Sequence, residues 1–209
     1  MSEVVDYNSF ELNRVPQIPA PWNLTGRGLI LLLKGFRIAM VVDYTTSDCG
    51  PYQELLYIPG RERFLGQKRF TISDIYVSSM ASVINGRHNW GIPKKLAQFD
   101  RTDNGLQSTV RVGQSDSPFF EVSYQAFGPQ LPLATAYLPG MFTRLGQQSE
   151  LGTFLYSPLA QGKMRLARIR QLSSTQAEFF PSLSAKDVLM AFAADPFAMV
   201  FPVSQHLKT

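Results

Sequence analysis

Gly86-Arg87-His88-Asn89-Trp90-Gly91-Ile92-Pro93-Lys94-Lys95-Leu96 sets two adjacent lysines directly after a proline, among residues that are mostly apolar or turn-forming. A surface lysine pair normally stands among other charges, whereas this pair follows a Trp-Gly-Ile-Pro segment suited to burial and rigidity. Burial disfavours the charged form of an amine, so a lysine in such a pocket can lose its proton near neutral pH and become a nucleophile. The chemistry indicated is Schiff-base formation with a carbonyl compound, on Lys94. Lys95 adds a neighbouring cation, which also disfavours protonation of Lys94. In an extended segment after Pro93, however, consecutive side chains point to opposite faces, so desolvation ranks ahead of the Lys95 charge.

Working outward, the stretch resembles the active-site segment of the acetoacetate decarboxylase family, whose pattern runs Gly-Arg-Glu-x-x-Gly/Ala-aromatic-Pro-Lys-Lys-Leu. Gly86, Arg87, Pro93, Lys94, Lys95 and Leu96 match it, and His88 stands where the family usually has Glu. Upstream, Gly50-Pro51-Tyr52-Gln53-Glu54-Leu55 is similar to the family's Gly-x-Tyr-x-Glu segment, and Arg27 in Thr25-Gly26-Arg27-Gly28 is similar to its arginine before the first strand. The resemblance implies a lyase acting on acetoacetate or a related β-keto acid through an iminium on Lys94, with no cofactor. Glu54 would orient the substrate or shuttle protons around the imine. Arg27 would grip a substrate carboxylate through its planar fork of donors. Arg87, Tyr52 and Trp90 are the further substrate-binding candidates; Tyr52 and Trp90 read equally as core filler or pocket wall. His88 reads as a hydrogen-bonded wall residue.

One departure bears on the substrate. The family carries another acidic residue about fifteen positions before the Glu54 equivalent, and an ungapped count lands on Ala39, with Asp43 and Asp48 displaced from it. The segment between Arg27 and Glu54 is also shorter than in the larger decarboxylases. An aldolase or dehydratase using the same lysine on a pyruvate-like keto acid is therefore the rival among enzymes. A ligand-binding barrel that keeps the motif without catalysis is the rival from another class.

Composition narrows the setting. A chain of 209 residues fits one β-rich domain, here 1–209, with residues 1–25 as an extended arm rich in Pro16, Pro19 and Pro21. One cysteine, Cys49, excludes an internal disulfide, and with only His88 and His206 beside it a metal site is not expected. No apolar run approaches the roughly 18 residues of a membrane helix, and the start of the chain lacks the pattern of a signal peptide, so the expected setting is cytoplasmic with no membrane partner. The net charge of +4 is spread over Arg61 to Arg69 and over Lys163, Arg165, Arg168 and Arg170, the last four divided between two faces of a strand. No nucleic-acid partner is expected from so scattered a pattern. A homo-oligomer is expected by analogy with the family, the arm being suited to exchange with a neighbour.

β-Branched and aromatic content, punctuated by turn residues, predicts strands at 28–33, 36–44, 53–59, 70–78, 96–102, 106–113, 118–127, 153–157, 163–172, 175–180 and 197–203. Asp103-Asn104-Gly105 and Gly113 to Asp116 read as hairpin turns. Helices are expected at 79–86 and, after Ser184 as N-cap, at 185–193. Phe119, Phe120, Tyr124 and Phe127 sit at strand spacing and read as core. So many short antiparallel segments imply a barrel or sandwich, and the resemblance narrows this to a mainly β (α+β) fold, a closed antiparallel barrel or cone with the active site inside.

Overall fold

The computed structural model describes residues 15–114 and 117–207. The arm's residues 1–14, and Ser115 and Asp116 of the second expected hairpin turn, lie outside them. Alternation at period two organises the first three strands. In β1 (Trp22–Leu33), Leu29, Leu31 and Leu33 face one side while Trp22, Leu24, Gly28 and Ile30 face the other. The same division separates Ala39 and Val41 from Ile38, Met40, Val42 and Tyr44 in β2 (Arg37–Thr46), and Leu55 and Tyr57 from Tyr52, Glu54, Leu56 and Ile58 in β3 (Tyr52–Ile58). The sheet is apolar on both faces and must be covered on both.

After β3 come β4 (Gly60–Phe64), β5 (Gln67–Thr71), β6 (Asp74–Val77), helix α1 (Met80–Trp90) and β7 (Lys94–Leu96). They are followed by β8 (Gln98–Asn104), β9 (Gln107–Gln114), β10 (Ser117–Ala134), β11 (Leu145–Ser149), β12 (Gly152–Tyr156), β13 (Leu159–Ser174), β14 (Val188–Phe201) and β15 (Gln205–Leu207). A ten-stranded sheet runs in the order β7-β6-β3-β2-β1-β14-β13-β10-β9-β8, antiparallel except where β7 joins β6 in parallel. It rolls into a nearly closed barrel. Its interior brings Leu31 and Leu55 together with Val110, Val112 and Val122 from strands far away in the sheet order. Phe180 and Leu183, on the connection between β13 and β14, plug that interior, Phe180 meeting the rings of Tyr57 and Phe120 edge-on.

The outer face of β1 to β3 is covered by α1 and by a five-stranded sheet, β15-β12-β11-β5-β4. Trp22, Trp90, Phe70, Phe154 and Tyr156 belong to this second apolar cluster. The described part of the arm lies along α1 of its own chain. Asn85 accepts from the Ile18 amide at 2.7 Å and donates to the Pro16 carbonyl at 3.1 Å, and Asn89 donates to the Ile18 carbonyl at 2.8 Å.

Several expectations need correction. The segment 70–78 is not one strand: it breaks after Thr71, and its halves join different sheets. No strand covers 175–180, because Phe179 and Phe180 turn inward to stopper the barrel instead of pairing. The helix expected at 185–193 is a single 3-10 turn, Ala185–Asp187, followed by β14. Ser184 does cap that turn, its side chain and amide both meeting Asp187 at 2.9 Å, but pairing with β1 and β13 overrides the helical preference of the alanines beyond it. Phe127 is 42% exposed, lying under the Arg168 guanidinium, while Phe119, Phe120 and Tyr124 are core.

Candidate active site

Lys94 enters β7 with its side chain on the outer face of the barrel, and only 3% of the residue is exposed. Its Nζ donates to Glu54 Oε2 and Ser82 Oγ, both at 2.9 Å, and lies 3.4 Å from the Tyr52 hydroxyl. Glu54, 4% exposed, also accepts from the Tyr44 hydroxyl at 3.3 Å. The register accounts for the grouping. Val42 pairs with Glu54 and Tyr44 with Tyr52 across β2 and β3, while β6 sits between β3 and β7 and brings Lys94 beside Ile75. The Tyr44 and Tyr52 rings pack with centroids 4.8 Å apart. Burial, reinforced by the Glu54 charge, pushes both phenols well above the ordinary tyrosine range, so both remain neutral, Tyr44 donating to Glu54 and Tyr52 accepting from Lys94.

Helix α1 supplies the other wall. Ser79 caps it, accepting from the Ser82 amide, and Gly91 ends it in the left-handed region at φ 64°, where a Cβ would stand 2.6 Å from the Phe154 ring. Ser82 and Gly86 are four residues apart and face Lys94 together. A Cβ on Gly86 would stand 2.7 Å from Lys94 Cδ and 2.9 Å from Cε, so the missing side chain is the slot for the lysine stem. Arg87 donates to the Lys94 carbonyl, Nε at 2.9 Å and Nη2 alongside it, and so holds the backbone rather than a ligand.

The lysine opens onto a cavity of about 250 Å³ between the barrel and the five-stranded sheet. Its walls are the outward residues of β1 to β3 together with Phe70, Ile72, Trp90, Phe197, Met199 and Phe201. Among the described residues, Glu54 and Lys94 are the charged side chains in this lining. Leu138 and Phe142, 50% and 49% exposed, line it as well and mark its mouth, opposite in character to the enclosed lysine end.

The sequence-derived site residues divide accordingly. Lys94, Glu54, Tyr52 and Trp90 are brought together, Trp90 as a wall whose Nε1 donates to the Pro202 carbonyl at 2.7 Å. Lys95 points the other way, exposed, with its Nζ 5.6 Å from the Tyr76 ring centroid. Arg27 is not at this cavity. It lies on the opposite face of β1 and pairs with Asp43 at 3.0 Å and Asp103 at 2.9 Å, beside Arg101. His88 is exposed on α1 and forms no cavity wall. Ala39 is sealed in the barrel interior, so the position reached by ungapped counting does not reach the cavity; its neighbours Ile38 and Met40 line it. The cavity itself lies outside the ten-stranded barrel, under the second sheet, and not within the barrel as expected. Burial of Lys94 is accompanied by a carboxylate partner, so desolvation does not act on the amine alone. Ser82 and Tyr44 were not anticipated as partners of the pair. Among the described residues no three His, Cys, Asp or Glu side chains gather as a metal site, and no helix is long and apolar enough to cross a membrane.

The fold of the described residues matches that of solved acetoacetate decarboxylase-like structures. An acetoacetate decarboxylase from Legionella pneumophila subsp. pneumophila str. Philadelphia 1 superimposes with a TM-score of 0.65 at 12% identity, over 90% of this chain and 88% of the other. An acetoacetate decarboxylase-like enzyme from Sphingomonas wittichii RW1 gives 0.61 at 10% identity, over 91% and 94%. The enduracididine biosynthesis enzyme MppR complexed with pyruvate gives 0.60 at 9% identity, over 90% and 91%. No curated protein matches the sequence. The model of the acetoacetate decarboxylase (ADC) family matches residues 18–185, and the chain belongs to that family.

Proposed function

We propose that this protein decarboxylates a β-keto acid through an iminium on Lys94. The supporting observation is the Lys94 amine held 2.9 Å from both Glu54 and Ser82 at the closed end of an apolar cavity. Glu54 takes a proton from the ammonium, and the free amine adds to the ketone carbon. Glu54 returns that proton to the carbinol oxygen, and water leaves to give the iminium. The bond between the α-carbon and the carboxylate then breaks, its electron pair forming the enamine and neutralising the nitrogen as carbon dioxide departs. Protonation of the α-carbon and hydrolysis by water release the ketone and restore Lys94. The iminium carboxylate carries two opposite charges that vanish in this step, so surroundings of low polarity favour it. Tyr44 donates to Glu54 and Tyr52 accepts from the Lys94 amine, so the two neutral phenols orient the base and the nucleophile.

A second reading, aldol or dehydration chemistry on a pyruvate-like acid, draws support from the likeness to a pyruvate-bound enzyme. An α-keto acid keeps its carboxylate through every intermediate, and among the described lining residues Lys94 is the one cation available. That favours the reaction in which the carboxylate is lost. Borohydride reduction in the presence of β-keto and α-keto acids, read by peptide mass spectrometry together with carbon dioxide release, tests the proposal. The expected result is an adduct on Lys94 with β-keto acids, absent in Lys94→Ala and Lys94→Arg. A wild-type chain that forms no adduct with any keto acid, the behaviour of a non-catalytic binding barrel, overturns it.

A further inference from the structure

The cavity is larger and far less polar than a four-carbon keto acid requires, and its shape is directional. A cavity of roughly 150 Å³ lined by aliphatic and aromatic side chains holds a benzene ring, so each heavy atom occupies about 25 Å³. At about 250 Å³ the present cavity takes about ten heavy atoms before the mouth is reached. Acetoacetate has seven, three of them oxygen. The polar groups cluster at one end: Lys94, Glu54, Tyr52 and Tyr44, with Ser82 behind the amine. Beyond them the walls are Val42, Leu56, Ile58, Phe70, Phe197 and Met199. The mouth is largely apolar too, formed by Leu138 and Phe142 with Leu133 and Leu145 behind them, and the hydroxyls of Thr135 and Thr143 beside them are bonded to backbone groups. An apolar tube sealed by a reactive amine suits a molecule with its carbonyl at one end and a hydrocarbon at the other.

We propose that the substrate is a β-keto acid bearing an apolar tail of about four to six carbons, alkyl or phenyl, its keto and carboxyl groups at Lys94 and its tail directed toward Leu138 and Phe142. This inference rests on the Schiff-base reading above and specifies its substrate class. The products are carbon dioxide and a methyl ketone with the same tail: the bond from C2 to the carboxyl carbon breaks, and C2 gains a proton. The reaction that supplies such a substrate is one that makes 3-oxo acids, such as oxidation of a 3-hydroxy acid or hydrolysis of a 3-oxoacyl ester or thioester.

The test is a chain-length series of acetoacetate, 3-oxohexanoate and 3-oxooctanoate, with benzoylacetate as the aromatic member. The readouts are kcat/KM for carbon dioxide release and, separately, borohydride trapping on Lys94. Burial of a methylene is worth about fourfold in binding, so kcat/KM is expected to rise roughly two-hundredfold over the four methylenes from acetoacetate to 3-oxooctanoate. Ala160 lines the cavity next to Thr135 of the mouth segment, its amide donating to the Thr135 hydroxyl at 2.8 Å, and filling this part by Ala160→Phe is expected to move the optimum to shorter chains. Since that variant could perturb folding, the wild-type series stands as the primary measurement. Equal or falling kcat/KM along the series, with Lys94 still trapped by every member, overturns the substrate class and leaves the Schiff-base chemistry standing. Failure of all members to trap overturns the chemistry itself.

Discussion

Gly86→Ala isolates the placement of Lys94 from the stability of the fold. In an ordinary helix interior this substitution stabilises by about 1 kcal/mol. Here the new methyl group would stand 2.7 Å from Lys94 Cδ and 2.9 Å from Cε. Ordinary carbon contacts lie at about 3.5–4.0 Å, so the stem must retreat by roughly 0.8 Å or the helix must move. A free lysine would swing aside at little cost. This one is buried, its amine is tethered at 2.9 Å to Glu54 and Ser82, and its carbonyl is held by Arg87. Displacement therefore breaks charge-assisted hydrogen bonds worth about 1.5–3 kcal/mol each, or else strains the packing by about 1–3 kcal/mol.

Because the helical gain of about 1 kcal/mol offsets part of the cost, the global stability of Gly86→Ala is expected to fall by about 2 kcal/mol or less where packing absorbs the methyl group, and by about 2–5 kcal/mol where both bonds to the amine break. Misplacing a reacting group by about 1 Å costs on the order of 10²-fold in rate, so the folded variant should react with a keto acid about a hundredfold more slowly than the wild-type chain. Urea unfolding gives the first quantity. The rate of borohydride-trapped adduct formation on Lys94 gives the second, with peptide mass spectrometry confirming the site. A variant that folds normally and traps at the wild-type rate would refute the claim that the glycine is a slot for the lysine stem.

Three further outcomes follow from the same geometry. Arg27→Ala should leave kcat and KM for a β-keto acid within about twofold, since its half-exposed pairs with Asp43 and Asp103 are worth about 1 kcal/mol or less and lie on the opposite face from the cavity; a KM increase of tenfold would show that it does reach the substrate carboxylate. Lys95→Gln should leave the pH dependence of Lys94 trapping unmoved, because the Lys95 side chain is exposed and turned toward Tyr76; a displaced profile would restore its charge as an activating cause. Burial pushes the phenols of Tyr44, Tyr52 and Tyr156 up, so above about pH 10 the unfolded chain loses protons that the folded chain keeps, and the stability present below pH 10 is lost as pH rises by about 1.4 kcal/mol per unit for each tyrosine. Denaturant unfolding across pH 9–11 should show that decline, shallower by about one tyrosine's share in Tyr156→Phe, and an equal slope in the two proteins would contradict it.

What the sequence disclosed follows from how local each feature is. Lys94, Gly86 and Arg87 lie on one helix-turn-strand segment, and Glu54 stands in a short segment of its own, so a linear pattern carries them. Ser82 and Tyr44 come from the geometry between segments. Ser82 reaches the amine because it is one helical turn before Gly86, and Tyr44 reaches Glu54 because β2 and β3 pair with Val42 opposite Glu54. Arg27 shares the parity of Leu29, Leu31 and Leu33, which form the barrel interior, whereas Gly28 and Ile30 face the cavity. Alternation separates the two faces of β1 but does not mark which of them meets the lysine, because that depends on the pairing of β7 with β6. The stretch after Ser184 departs from its local preference for another reason: Ala191, Ala193 and Ala194 favour a helix in isolation, and only their register with β1 makes them strand.

Contiguity of the lysine motif has a mechanical reason. Gly86 opens room for the stem, Arg87 pins the carbonyl of Lys94, Gly91 turns the chain so that it can return alongside its own helix, and Pro93 starts an extended run in which Lys94 and Lys95 must part. Each of these acts over at most eight residues, so the motif delivers one positioned amine whatever surrounds it. Removing Glu54 alone would leave that amine buried with its main countercharge gone, a loss of about 3–5 kcal/mol when the amine stays charged. The carboxylate arrives from β3, two strands away, and the apolar walls arrive from β1, β2 and β14 and from the second sheet. Motif and chamber are thus independent parts: the first sets which bond can be made to a carbonyl, and the second sets which carbonyl compound arrives there.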